Sequence, residues 1–412
     1  MYDKMYWIWL SLIFPYGSDK PNEILSKYET PEHFYNLSEE EMAENDFLTK
    51  KDIKIAKGTN IARAKIIIDD CEKKNIKFAT FDDDLYPKRL KLIYGSPMVL
   101  YYVGDIKNID DNVVITVVGT RRATDYSAYT TEYFSYNLAK AGAIIVSGCA
   151  VGIDASSHIG ALRANARTIA VLGCGIDVNY PIPNYELKKS ILKKGGALIS
   201  ELPPGENPTP KYFPTRNRIM AGLSLGVLVT HAPERSGSLI TVEHAIEQGK
   251  DVFCVPPYSI FDSNYFGVIK YLRDGATPVF CAKDILIEYY GKYSHTLNAD
   301  EIVGDYVTQM QLKNRKANVK VPAEKSQIVI LTNDEVEKQT IECHDKDKEY
   351  IEKFDENKLL VYNNLNVMPK FIDDLSREST VNIGNLLAIL TEFEIMGIAT
   401  SFSGRRYALT KK

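Results

Sequence analysis

Ala143-Ile-Ile-Val-Ser-Gly-Cys-Ala-Val-Gly-Ile-Asp154 is the stretch that decides the fold. Its first four residues are apolar without alternation, the mark of a strand buried on both faces. They break into small residues at Ser147-Gly148, and after Gly152 an amphipathic stretch, Ala155–Asn165, runs at helical spacing. A strand, a glycine-rich turn and a helix in that order make the opening half of a β-α-β unit.

The same rhythm extends in both directions. Short apolar runs recur at Val113–Val118, Thr168–Leu172, Ala197–Ile199, Gly226–Thr230, Val252–Val255 and Pro278–Phe280, with an extended segment, Pro97–Val103, before them. Helix-length stretches lie between, near Tyr126–Ala141, Asn184–Lys193, Asn217–Gly222, Ser238–Gln248 and Tyr265–Arg273. The expected fold class is therefore α/β. Residues 86–290 read as a Rossmann-like, doubly wound, mostly parallel sheet with helices on both faces. Right-handed crossovers place the C-terminal ends of its strands on one edge.

The flanks read differently. Residues 1–85 carry apolar residues at helical spacing in Ile24–Tyr28, Phe47–Ile55 and Ile61–Ile68, and Ser38 followed by Glu41 is a capping-box signature. This predicts a helical N-terminal domain of sterile-alpha-motif or helix-hairpin-helix type. Residues 291–357 are polar and irregular and read as a linker. Residues 358–412 hold three helices, a first beyond Lys358 and then Phe371–Ser376 and Ile383–Met396, followed by a hairpin from Ile398 to Leu409 turning at Ser403-Gly404. That order predicts a winged helix.

Composition narrows the chemistry. The apolar fraction of 45% and charged fraction of 25% are those of an ordered globular chain. A net charge of −4 over 412 residues excludes a surface coated in positive charge, so any polyanion must be met by a local cluster. The six cysteines, Cys71, Cys149, Cys174, Cys254, Cys281 and Cys343, are scattered with no C-x-x-C pair. That fits a reducing cytoplasm and disfavours both a disulfide framework and a zinc site. The apolar run Tyr6–Phe14 follows Lys4, but no small-residue cleavage site comes after it and it is too short to span a bilayer. It reads as a buried helix, with no membrane partner.

The glycines and hydroxyls carry the functional information. Strand ends break into Gly119-Thr-Arg121, Ser147–Asp154, Gly173-Cys-Gly-Ile-Asp177 and Ser236-Gly-Ser238, and all of these turns fall on the same sheet edge. Glycine lets backbone approach an anion, and the helix behind it aims N–H groups and a positive dipole end at that anion. Neither the dinucleotide fingerprint nor the Walker sequence is present. Cations gather at this edge too: Arg121 follows the first strand, and Lys211-Tyr-Phe213 precedes Arg216-Asn-Arg218, which reads as opening a helix. Guanidinium groups pair with phosphate, and an aromatic ring beside them offers a stacking face to an unpaired base. The competing expectation is that Phe213 is core and the arginines cap helices or pair with Glu201 and Asp177.

These segments resemble the DprA/Smf family of DNA-processing proteins. The likeness rests on Gly119-Thr-Arg121, Ser147–Asp154 with His158, Gly173–Asp177 with Tyr180-Pro181 and Asn184, Phe213-Pro-x-Arg-Asn-Arg-Ile219, Ser236–Thr241 and Gly275-Ala276. It implies a dimer that binds single-stranded DNA and passes it to a RecA-type recombinase in natural transformation and homologous recombination. The implied strand contacts are Arg121, Gly148, Gly152, Lys211, Phe213, Arg216, Asn217 and Ser236, with Arg218, Gly237 and Ser238 at the same edge. No catalytic residue, metal or cofactor is implied. Four positions depart from the family pattern: Val151 stands where an arginine is usual, His231 for a glutamate, Pro257 for a glycine and Ile269 for an asparagine.

The rival reading is enzymatic. Nucleotide phosphoribohydrolases of the lysine-decarboxylase-like group carry P-G-G-x-G-T-x-x-E, and Ser236-Gly-Ser-Leu-Ile-Thr-Val-Glu243 is the comparable stretch. Glu243 would be its acid/base residue, but the P-G-G is absent. A Ser236–His244–Asp154 triad lacks the G-x-S-x-G elbow, and His231 and His244 lack metal-ligand spacing. His158 reads as a hydrogen-bonding support. In the C-terminal domain, Arg405 and Arg406 offer a second nucleic-acid contact or a solvated surface with equal weight.

Overall fold

The computed structural model describes residues 2–298, 348–351, 354–367, 370–402 and 406–410. The chain divides into two compact units, residues 1–318 and 319–412.

The first unit begins with six helices: α1 (Tyr2–Ile13), α2 (Lys20–Tyr28), α3 (Pro31–Asn36), α4 (Glu39–Ala43), α5 (Lys50–Gly58) and α6 (Ala62–Lys73). Their starts are chemically marked. Ser38–Glu41 and Thr49–Asp52 close reciprocal caps, each satisfying N–H groups that a helix start leaves unpaired. The run Tyr6–Phe14 falls largely in α1, where Ile8, Trp9 and Leu10 are fully buried. These residues form one apolar cluster with Phe34, Met42, Ile68, Val99 and Tyr101, so the helices are seated on the sheet edge.

That sheet has nine strands: β1 (Lys77–Thr80), β2 (Val99–Gly104), β3 (Val114–Gly119), β4 (Ile144–Ser147), β5 (Thr168–Val171), β6 (Ala197–Ser200), β7 (Gly226–His231), β8 (Asp251–Cys254) and β9 (Thr277–Pro278). The order is β1-β2-β6-β5-β4-β3-β7-β8-β9. Strands β3 to β9 run parallel, while β1 and β2 add an antiparallel pair at one side. The doubly wound α/β expectation is met: the apolar runs between Pro97 and Val255 fall on β2 to β8, while Pro278–Phe280 meets β9 only at Pro278. β1 lies inside the stretch read as helical, because four residues are too few to show a period.

Strand β3 shows why these runs lack alternation. Val114 and Val118 face one apolar layer, with Ile219, Leu239 and Val268, while Ile115 and Val117 face the other, with Phe134, Leu138 and Ile285. Thr116 is buried between them and donates to the Met220 carbonyl at 2.8 Å. The layers are built by α7 (Asp125–Lys140), α8 (Ile153–Arg163), α9 (Tyr185–Lys193), α10 (Tyr212–Leu223), α11 (Leu239–Glu247), α12 (Phe266–Arg273) and α13 (Ala282–Tyr293). Packed chain continues to Asn298, whose N–H donates to the Ala141 carbonyl, into the stretch read as linker. The expected linker is otherwise mostly outside the described residues.

Two features position the site. From β3 the chain winds outward through β4, β5 and β6, then returns to place β7 on β3's other side. The helices after β3 and β7 leave toward opposite faces, and a crevice opens between them at the strand ends. The second feature corrects the sequence reading. α10 begins at Tyr212, not at Arg216, because Pro214 sits in the first turn, where a missing N–H costs nothing. Arg216, Asn217 and Arg218 are thus interior helical residues pointing about 100° apart.

In the second unit, α14 (Lys348–Ile351) and α15 (Glu356–Asn364) precede β10 (Lys370–Phe371), α16 (Ile372–Ser379), α17 (Ile383–Ile395), β11 (Ala399–Phe402) and β12 (Arg406–Leu409). The three strands pair antiparallel in the order β10-β12-β11 around a core of Val361, Leu375, Leu390 and Phe393. The expected hairpin turn, Ser403-Gly404, and Arg405 lie outside the described residues.

Candidate nucleic-acid interface

The crevice holds a cavity of about 540 Å³. It is lined by Gly119 and Arg121 at the end of β3, Ala150 and Asp154 after β4, Ser236–Ser238, Ile240 and Thr241 after β7, and Phe213, Arg216, Asn217 and Met220 of α10. A smaller pocket beside it is bounded by Arg121, Gly148, Val151, Gly173, Tyr180 and Phe213.

Arg121 stands at the mouth. It is exposed, and its guanidinium carbon lies 5.4 Å from the Phe213 ring centroid. The ring is half-buried rather than core and sits 5.6 Å from the Tyr180 ring. Gly173 makes this possible, since a Cβ there would come within 2.8 Å of Phe213 Cδ1. A cation over one aromatic ring, with a second ring adjacent, is a surface that takes a phosphate and a base together.

Arg216 forms the floor. It is 7% exposed, and its Nη1 donates to the Gly148 carbonyl at 2.9 Å and to the Val171 carbonyl. No carboxylate forms a salt bridge with it among the described residues. Burial lowers its pKa, with buried Asp154 acting the other way. Asp154 is itself raised by burial, and its carboxylate accepts from the Ala150 N–H, holding the turn before α8. A desolvated cation bonded only to carbonyls keeps an incomplete counter-charge. Gly148 is the contact that admits it, because a Cβ would lie 2.4 Å from Arg216 Nη2.

Asn217 joins this floor to the serine turn. Its Oδ1 accepts from Arg216 Nε and its Nδ2 donates to the Gly237 carbonyl, both at 3.3 Å. Ser236 and Ser238 share a hydroxyl–hydroxyl bond of 2.7 Å. Gly152 shapes the opposite turn with a φ of +85°, its backbone packed on the Thr120 and Arg121 carbonyls.

Three expected contacts line neither pocket: Gly152, whose turn is packed against backbone, Lys211 and Arg218. Lys211 is exposed at the start of α10, its ammonium 5.0 Å from the Tyr212 ring, and does not line the cavity. Arg218 points away, about 200° around the helix from Arg216. It pairs with Glu201 at 2.6 Å, donates to the Gly95 and Thr215 carbonyls, and is 4% exposed, so the pairing weighed as the alternative holds for it. Conversely, Tyr180, Met220 and Thr241 line the cavities without having been assigned a contact. Helical period from Tyr212 would have found Met220, four residues after Arg216.

The enzymatic residues converge only in part: Ser236 and Asp154 line the cavity, but the residues that would act as acid or base do not. Glu243 is exposed on α11 and does not line the cavity. His244 pairs with Glu247 and is likewise absent from the lining. His158 is fully buried, bonded to Thr168 at 2.8 Å, and burial pushes its imidazole down to about 3. Its role is support of β5.

Fold and site together define an open α/β protein with a crevice, lined by Arg121, Arg216 and the serine turn, at the switch between β3 and β7. The family described as DNA recombination-mediator protein A matches residues 77–290. The chain is 34% identical over 350 residues to Protein Smf of Synechocystis sp., covering 82% of each chain. It is 42% identical over 203 residues to DNA processing protein DprA of Bacillus subtilis, 49% of this chain and 68% of that one. The X-ray structure of DprA from Streptococcus pneumoniae superposes with a TM-score of 0.59 at 32% identity, over 70% of this chain and 98% of that one. The chain belongs to the DprA/Smf family of DNA-processing proteins.

Proposed function

We propose that the crevice binds single-stranded DNA, holding phosphates at Arg121 and the Ser236–Ser238 turn while a base stacks on Phe213. The observation that carries this is the Arg121 guanidinium set over the Phe213 ring at the cavity mouth. Duplex bases are already stacked on one another, so this pair serves an unpaired strand. Arg216, Asn217, Gly148 and Gly152 shape the floor and turns, and Lys211 contributes a nearby positive charge outside the cavity.

The wider reading follows the family. The protein protects incoming single strands and loads a RecA-type recombinase in transformation and recombination, acting as a cytoplasmic homodimer. The buried free thiols of Cys71, Cys149, Cys174, Cys254 and Cys281 favour a reducing compartment. Among the described residues, no helix is long and apolar enough to cross a membrane. The second unit is read as a winged helix because its order of helix, strand, two helices and two strands suits one. The protein works as a binder, since the candidate acid/base Glu243 lies off the cavity.

The test is fluorescence anisotropy with labelled single- and double-stranded oligonucleotides of one sequence. Preference for the single strand, abolished in Phe213→Ala, supports the reading. Equal binding of both forms, or none at low salt, overturns it. Hydrolysis of nucleoside monophosphates that is lost in Glu243→Gln would transfer the site to the phosphoribohydrolase reading.

A further inference from the structure

We infer that an aromatic cluster beyond the end of β8 is a second stacking platform for the same strand, an inference that rests on the single-strand reading above. The loop Tyr258–Asp262 follows β8, and in it Tyr258 is 61% exposed and Phe261 86%. Tyr126, in the first turn of α7, is 49% exposed and its ring lies 5.5 Å from that of Tyr258. The loop is built, not loose. The Tyr258 hydroxyl donates to Asp262 at 2.6 Å, and its ring meets that of buried Tyr265, which stacks on His231 at 4.3 Å. Large apolar rings gathered in solvent at one strand end mark a contact surface.

Position and charge identify the occupant. β3, β7 and β8 are successive neighbours, so the β8 end lies about 10 Å along the sheet edge from the β3 end. Arg121 and Arg122, both exposed, lead within a single short loop into Tyr126. The platform thus continues the Arg121–Phe213 mouth. Asp125 and Asp262 stand beside the rings, so phosphate is favoured at the arginines and repelled at the rings. What the rings accept is an uncharged flat face, and every base has one. A strand held by its backbone at Arg121 and Arg122 therefore turns its next bases onto Tyr258 and Phe261.

The experiment measures anisotropy on the full chain with oligo-deoxythymidines of about 4 and about 16 nucleotides, spanning common single-strand site sizes. The wild type is compared with Tyr258→Ala/Phe261→Ala and with Phe261→Trp. The double variant is expected to bind the short strand as the wild type does and to lose roughly tenfold or more on the long one, with tryptophan retaining affinity. Photocrosslinking of a 5-iodouracil strand should map to Tyr258 or Phe261. Unchanged affinity for the long strand overturns the inference while leaving the crevice reading intact. A double variant that becomes monomeric with unaltered strand affinity assigns the patch to a second copy and also overturns it. A wild type that binds neither strand overturns both readings.

Discussion

Replacing Gly148 with alanine is predicted to unseat Arg216. The added Cβ would lie 2.4 Å from Nη2 and 2.7 Å from Cζ, so the guanidinium must move. Arg216 lines the cavity, so the guanidinium can swing into that space, but the displacement breaks the bonds from Nη1 to Gly148 and Val171. Hydrogen bonds from a charged donor contribute about 1.5–3 kcal/mol each, so partial loss of two costs about 2–4 kcal/mol. At roughly 2 °C per kcal/mol for a large domain, the melting transition should fall by roughly 4–8 °C. Calorimetry measures this directly. Gly237→Ala is the control, since no atom lies within 4 Å of its would-be Cβ, and its stability should stay within about 0.5 kcal/mol of wild type. Should Gly148→Ala melt with the wild type, the carbonyl anchoring does not hold the pocket floor.

Three further substitutions separate support from contact. Arg218→Met leaves Glu201 buried without its cation and should cost about 3–5 kcal/mol by urea unfolding, with strand affinity of the folded protein unchanged. Val151→Arg places a cation at the exposed edge of the smaller pocket and should steepen the log–log salt dependence of single-strand binding by about 0.7, as seen by anisotropy. For His158, burial holds the folded pKa near 3 against an ordinary 6.5, so the unfolded state binds the extra proton between those values. Its contribution to stability is present above pH 6.5 and is lost at about 1.4 kcal/mol per pH unit as pH falls toward 3. Chemical denaturation across that range should show this slope in the wild type and a flatter one in His158→Gln.

The sheet was legible because burial on both faces leaves no alternation to disguise a strand, as Val114–Val118 shows. The glycine turns were legible because backbone approach needs them wherever they fall. Side-chain direction was harder. Arg216-Asn-Arg218 reads as one basic cluster only if it opens a helix. With Pro214 absorbed into the first turn, the helix starts at Tyr212 and splits the arginines to opposite sides. Tyr180 escaped assignment because its partner, Phe213, comes from a different element. Strand β1 escaped because its pairing with β2 is tertiary information.

The central claim is that Arg121 meets phosphate at the cavity mouth. It is exposed and its guanidinium lies over the Phe213 ring, so Arg121→Ala should leave stability within about 0.5 kcal/mol. The most direct measurement is single-strand affinity of wild type and Arg121→Ala over a range of salt concentrations. Loss of one phosphate contact predicts weaker binding and a log–log slope shallower by about 0.7. Parallel slopes with equal affinities would contradict the account, placing the strand away from this crevice.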